Sequence, residues 1–86
     1  MPTGTYCKKE FLTDSSDPGT STVVSFYGDV TWHKESGPEQ LSFLEISSCH
    51  ERARLHRTHE MTEQQWIDQV RRLKKHIEEY LRFLEA

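Results

Sequence analysis

Residues 62–86 read TEQQWIDQVRRLKKHIEEYLRFLEA, and this stretch decides the fold. Trp66, Val70, Leu73, Ile77, Tyr80 and Leu84 recur at alternating steps of four and three, the spacing that puts side chains on one stripe of an α-helix. Ile67 and Leu81 widen the stripe. Thr62 and Gln65 have the spacing of a capping box, in which the threonine oxygen accepts an orphan backbone N–H and the glutamine reaches back to the cap. Met61 and Trp66 occupy the two positions of a hydrophobic staple across that cap. Asp68 with Arg72, Lys75 with Glu79 and Glu78 with Arg82 are opposite charges four residues apart, as an outer helical face favours. Neither glycine nor proline interrupts the run.

Upstream the period changes from 3.6 to 2. Over Thr22–Lys34, Val24, Phe26, Val30 and Trp32 share one parity with Gly28, which predicts a strand with one buried face. Gly28-Asp29 fits a bulge in one long strand or a tight hairpin turn, and the preserved parity favours the bulge. Ser36-Gly37-Pro38 predicts a turn, Leu41–Ser47 a second strand, Tyr6–Leu12 a weaker first strand, and Asp17-Pro18-Gly19 the centre of a polar loop. Residues 48–60 admit two readings. Ser48 and Glu51 fit the start of a short helix. As a strand, the segment sets His50, Arg52, Arg54 and His56 on one face and Cys49, Ala53 and Leu55 on the other. The strand is preferred, with Cys49 on the buried side.

The expected fold is therefore α+β. A three-stranded antiparallel sheet, four-stranded if residues 48–60 add a strand, is followed by one long C-terminal amphipathic helix packed on it, in the order βββα. One domain over 1–86 is expected, with a β region at about 4–57 and the helix at about 62–86. The expected core is Val24, Phe26, Val30, Trp32, Phe43, Leu44, Ile46, Leu55, Trp66, Val70, Leu73, Ile77 and Leu84.

Composition narrows the function. With 86 residues, 34% hydrophobic and 29% charged, the chain suits one domain with a thin core. Such cores are often supplemented by a disulfide, a metal or a partner subunit. The net charge of −3 lacks the basic bias of strong nonspecific nucleic-acid binding. Charge is nonetheless uneven: residues 1–47 carry Lys8, Lys9 and Lys34 against seven acids, while residues 48–86 carry eight Arg and Lys against seven. Two cysteines, Cys7 and Cys49, are too few for a disulfide scaffold. No basic start precedes an apolar run, so no signal peptide is expected; no stretch approaches ~18 apolar residues, so no membrane partner is expected, and a cytoplasmic setting is the default.

The chemistry-bearing residues favour binding over catalysis. Cys49, His50, His56 and His59 are the one metal-like cluster, but the paired-cysteine knuckle of zinc sites is missing. Adjacent Cys49 and His50 would point to opposite faces of a strand. Read as a thiol–imidazole pair, the same residues lack an evident pocket. No Gly-rich phosphate loop, HExxH or GxSxG occurs. No enzyme, cofactor or metal site is expected.

Two binding readings remain. The helix would be about 37 Å long at 1.5 Å per residue, against a diameter of roughly 30 Å for a compact chain of this size. Its end, with Tyr80, Leu81, Phe83 and Leu84, should then overhang, and exposed aromatic surface marks interaction sites. The first expectation is a small non-catalytic protein-binding module, an inhibitor, adaptor or accessory factor. It would cover a site on a larger protein and form a homodimer, with Trp66, Tyr80, Phe83 and Leu84 as the assembly residues. Arg52, Arg54 and the helical cluster Arg71, Arg72, Lys74 and Lys75, or alternatively Asp14, Asp17, Asp29, Glu35 and Glu39, would carry partner contacts. The second reading is nucleic-acid binding through the basic row His50, Arg52, Arg54, His56 and Arg57. In the linear sequence that row lacks the aromatic interleaving of a single-strand binder.

Overall fold

A computed structural model of the chain describes residues 4–13, 21–30 and 39–86. The element order is β1 (Tyr6–Phe11), β2 (Thr22–Val30), β3 (Glu39–Ser47), β4 (Arg52–His56) and α1 (Glu63–Glu85). The four strands form one antiparallel meander in the order β1-β2-β3-β4, so the α+β expectation holds and residues 52–56 supply the fourth strand. The chain divides into two compact units, Met1–His56 with the sheet and Arg57–Ala86 with the helix.

Each strand follows from its residues. β2, TVVSFYGDV, is rich in the β-branched and aromatic side chains that suit a pleated, half-buried surface. The hairpin between β1 and β2 is closed by Leu12 N–H donating to the Ser21 carbonyl at 2.7 Å. Ser48 N–H donates to the Glu51 carbonyl at 2.8 Å and closes the short β3–β4 connection. Ser48 and Glu51 therefore build a hairpin loop, not a helix start. Cys49 lies in that loop and is exposed, as is Cys7, so the expected burial of Cys49 is corrected.

The register also corrects the bulge. β2 and β3 pair without a skipped residue from Thr22↔Ser47 to Val30↔Glu39, through Gly28↔Leu41. Gly28 has a steric reason instead. A Cβ there would stand 3.0 Å from Thr5 Cγ2 and 3.1 Å from Phe26 Cζ, closer than ordinary contact. The pairing runs on through Gly28, and the missing side chain makes room for its neighbours. Gly28→Ala should therefore lower stability by ~1 kcal/mol through overpacking. In urea unfolding the loss should shrink in a Thr5→Gly background, which leaves the Phe26 ring as the remaining close neighbour, whereas an equal loss in both backgrounds would contradict the steric account.

The core is thinner than expected. Among the described residues Trp66, 7% exposed, is the one buried hydrophobic side chain. Val24, Phe26, Phe43, Leu44, Leu55 and Leu73 are half-buried, and Ile46, Val70, Ile77 and Leu84 are exposed. Trp32 and the side chain of Val30 lie outside the described residues, as do the turn at 36–38 and the loop around Pro18. β2 does not have one buried face: Thr22 to Tyr27 are all half-buried, because a strand with neighbours on both sides is flanked by side chains on both faces.

α1 begins as its sequence indicates. Gln65 N–H donates to Thr62 Oγ1 at 3.1 Å and Thr62 N–H donates to Gln65 Oε1 at 2.8 Å, a complete capping box. Thr62→Ala should cost ~1 kcal/mol in chemical unfolding. An unchanged midpoint would show that the cap contributes nothing. On the outer face the ion pairs are Asp68 with Arg71 and Lys74 with Glu78, not the expected Asp68 with Arg72. All four are exposed, and such pairs contribute little.

Candidate interaction surfaces

Two surfaces carry chemistry, one in each unit. In the helical unit the four-three stripe runs the length of α1, about 35 Å for its 23 residues. Trp66 anchors its start; Ile67 and Leu73 are half-buried. Beyond them the apolar side chains are open. Tyr80 is 61%, Phe83 76% and Leu84 58% exposed, with Val70, Ile77 and Leu81 also in solvent. The charged residues of the same turns, Glu78, Glu79, Arg82 and Glu85, leave this strip uncovered because they occupy the other positions of the helical wheel. Of the four residues assigned to assembly from the sequence, three are thus in contact with water and Trp66 is not.

The sheet unit holds the second surface, and its geometry follows from the register. Residues paired across antiparallel strands point to the same face, as do residues two apart on one strand. One face therefore carries three rows across four strands. The first row is Cys7, Phe26, Phe43 and His56; the second is Lys9, Val24, Glu45 and Arg54; the third is Phe11, Thr22, Ser47 and Arg52. Phe26 and Phe43 stack at 5.6 Å between centroids and 18° between planes. The Arg54 guanidinium lies 4.1 Å above the centre of the Phe43 ring, and Lys9 Nζ lies 5.6 Å from that of Phe11. Thr22 and Ser47 hydroxyls are hydrogen-bonded at 2.6 Å.

Glu45 organises the charges on this face. Arg52 Nε meets its Oε1 at 3.0 Å, and Arg54 donates to its Oε2 through Nε at 2.8 Å and Nη2 at 2.6 Å. The Glu45 side chain is mostly shielded and both arginines are open. One carboxylate thus aims two guanidiniums, and within the three rows Lys9, Arg52 and Arg54 stand against Glu45. The opposite face carries Tyr6, Lys8, Glu10, Tyr27 and Asp29 and has no such excess. There the Glu10 carboxylate accepts a hydrogen bond from the Lys8 ammonium and holds its pKa above the ordinary value.

The basic row read from the sequence is divided by the structure. Arg52, Arg54 and His56 share the face just described. His50 sits in the β3–β4 loop, exposed. Arg57 belongs to the helical unit, where its Nε donates to the Met61 carbonyl at 3.3 Å. Arg71, Arg72, Lys74 and Lys75 all lie in solvent on α1. Of the acidic candidates, Asp29 is exposed on β2, and Asp14, Asp17, Glu35 and the side chain of Glu39 lie outside the described residues.

Sequence reasoning missed the aromatic partners of the arginines. Phe11, Phe26 and Phe43 come from three other strands; only the register sets them on the same face as Arg52 and Arg54, and of the three it is Phe43 that Arg54 touches. The available signal was parity within each strand, which does not say how neighbouring strands align.

Among the described residues no group of three or more His, Cys, Asp or Glu side chains could hold a metal ion. Among them, too, no helix is long and apolar enough to cross a membrane. No family model matches the chain, and neither a curated protein nor a solved structure is similar to it.

Proposed function

We propose that this chain is a small non-catalytic protein-binding module that self-associates through α1 and acts by covering a site on a larger protein. One observation carries the reading: Tyr80, Leu81, Phe83 and Leu84 form a contiguous exposed apolar surface over the last two turns of a regular helix. Surfaces of this kind mark association sites. The four-three spacing matches the knobs-into-holes packing of two helices, so a second α1 is the complementary occupant on geometric grounds.

Magnitudes set the strength. Six exposed apolar side chains on each of two copies, each half-buried on pairing at ~1 kcal/mol, supply about 12 kcal/mol. Loss of rigid-body freedom costs at least ~4 kcal/mol. The remainder is at most about 8 kcal/mol, so the dissociation constant is about 1 μM at the tightest. Assembly of this strength is reversible, which suits a module that exchanges its own copy for a larger partner. Sedimentation of the purified chain over a concentration series tests the reading. Twice the chain mass at tens of micromolar is expected; a single-chain mass throughout removes the dimeric form of the proposal.

A further inference from the structure

We infer that the Phe26–Phe43 face of the sheet is a binding surface for single-stranded nucleic acid. The argument is independent of α1. Single-strand binders combine aromatic rings, on which bases stack, with basic groups that meet the phosphates. The register brings both onto one face. Phe11, Phe26 and Phe43 lie on β1, β2 and β3, with Lys9 at one edge and Arg52, Arg54 and His56 at the other. Phe11 is 67% exposed, and Arg52 and Arg54 stand in solvent. Arg52 and Arg54, two residues apart on one strand, are about 6.7 Å apart along it, so they form a short track for a backbone.

Charge selects the occupant. The three rows have a cationic excess although the whole chain carries −3. Its cations flank an aromatic centre and do not cluster together. An acidic peptide would use the cations and leave the exposed Phe11 ring without a partner, whereas Phe26 and Phe43 are half-buried and already stacked on each other. A duplex would offer phosphates, but its bases are already stacked and cannot reach rings lying on a sheet. An unpaired strand uses both sets at once. Arg54 fits either surface chemistry: its guanidinium plane, already over Phe43, can stack on a base or turn to a phosphate.

Glu45 is the restraint on this site. Its carboxylate engages both arginines and would have to share them with a phosphate. Removing its charge should strengthen binding, which a purely structural cluster would not do.

The test is fluorescence anisotropy of the full chain with labelled oligothymidine and oligouridine of about 12 nucleotides, within the usual site size of one binding face. A duplex of equal length and a polyglutamate peptide are the comparison probes. Single strands should bind at roughly 50 mM salt, with a log–log salt slope near −2 for three phosphates met by Lys9, Arg52 and Arg54. Duplex and polyglutamate should bind at least about tenfold more weakly. Phe11→Ala, at an exposed edge position, should weaken binding roughly fivefold or more with the slope unchanged. Lys9→Ala should make the slope shallower by about 0.7. Glu45→Gln, checked for folding by circular dichroism, should tighten binding several-fold. Absence of binding at that salt overturns the inference. So does equal binding of polyglutamate or duplex, which would reassign the face to an acidic protein or to plain polyanion attraction. Affinity unmoved by Phe11→Ala would likewise remove the stacking role.

Discussion

Phe83→Asp combined with Leu84→Asp should sediment at the mass of one chain under conditions where the unmodified chain sediments at two. The reason is a change in what lies at the seam. Both side chains are open in the single copy, so their replacement costs the folded chain little. In a helix pair Leu84, on the stripe, would be enclosed and Phe83 would flank it, and an unpaired carboxylate at the seam costs several kcal/mol, enough to raise a micromolar dissociation constant beyond any practical concentration. Aspartate near a helix C-terminus also opposes the helix dipole and frays the last turn. Phe83→Gln with Leu84→Gln separates the two effects, because glutamine is neutral and a good helix former. That variant should be monomeric with unchanged helical circular dichroism. A double variant that still sediments at twice the chain mass would place the interface elsewhere and remove the basis of the proposed function.

The second large effect is expected at Trp66. Trp66→Ala should remove most of the stability of the helical unit, because Trp66 is the one buried hydrophobic residue among those described and sits at the fourth position of a capped helix. Truncating a buried tryptophan typically costs ~3–5 kcal/mol, and a chain of this size has a total near ~5 kcal/mol. Urea unfolding followed by circular dichroism should show the midpoint falling close to zero denaturant. Phe83→Ala, which removes an equally aromatic but exposed side chain, should leave the midpoint where it was. Similar midpoints for the two variants would show that burial of Trp66 is not what holds the structure together.

These two residues lie on the same helix and have opposite expected effects. Trp66 acts on stability, and Phe83 acts on association. The stripe that starts at Trp66 passes from shielded there to open at Tyr80 and Leu84, with Leu73 half-buried between, and Phe83 lies beside its open end. A helix used only to close its own core would show even shielding along its apolar side. The gradient is what the protein-binding proposal explains.

The features legible in the sequence were those whose cause is local. A capping box joins residues three apart, so Thr62 and Gln65 announced the start of α1, and both of its hydrogen bonds are present. A helical stripe depends on one period, so the apolar side of α1 could be drawn before any coordinate. Alternation marked β2, and the parity of Arg52, Arg54 and His56 marked β4. Features that depend on the alignment of distant segments were not legible. The bulge at Gly28 was inferred from glycine in a strand, whereas the cause is the close approach of Thr5, just before β1, and of the Phe26 ring. The burial of Cys49 assumed it belonged to a strand, whereas the hairpin bond between Ser48 and Glu51 puts it in a loop. Glu45 gave no sign that it would hold two arginines from the next strand.

The amino-acid order by itself determined the long helix and the strands at β1, β2 and β3, because period, caps and β-branched content act over a few neighbouring residues; residues 48–60 admitted both helix and strand until pairing with β3 fixed β4. Only the tertiary structure decided which side chains share a face. Strand pairing fixes that choice, and a shift of one residue between β2 and β3 would carry Phe43 away from Phe26 to the other side of the sheet.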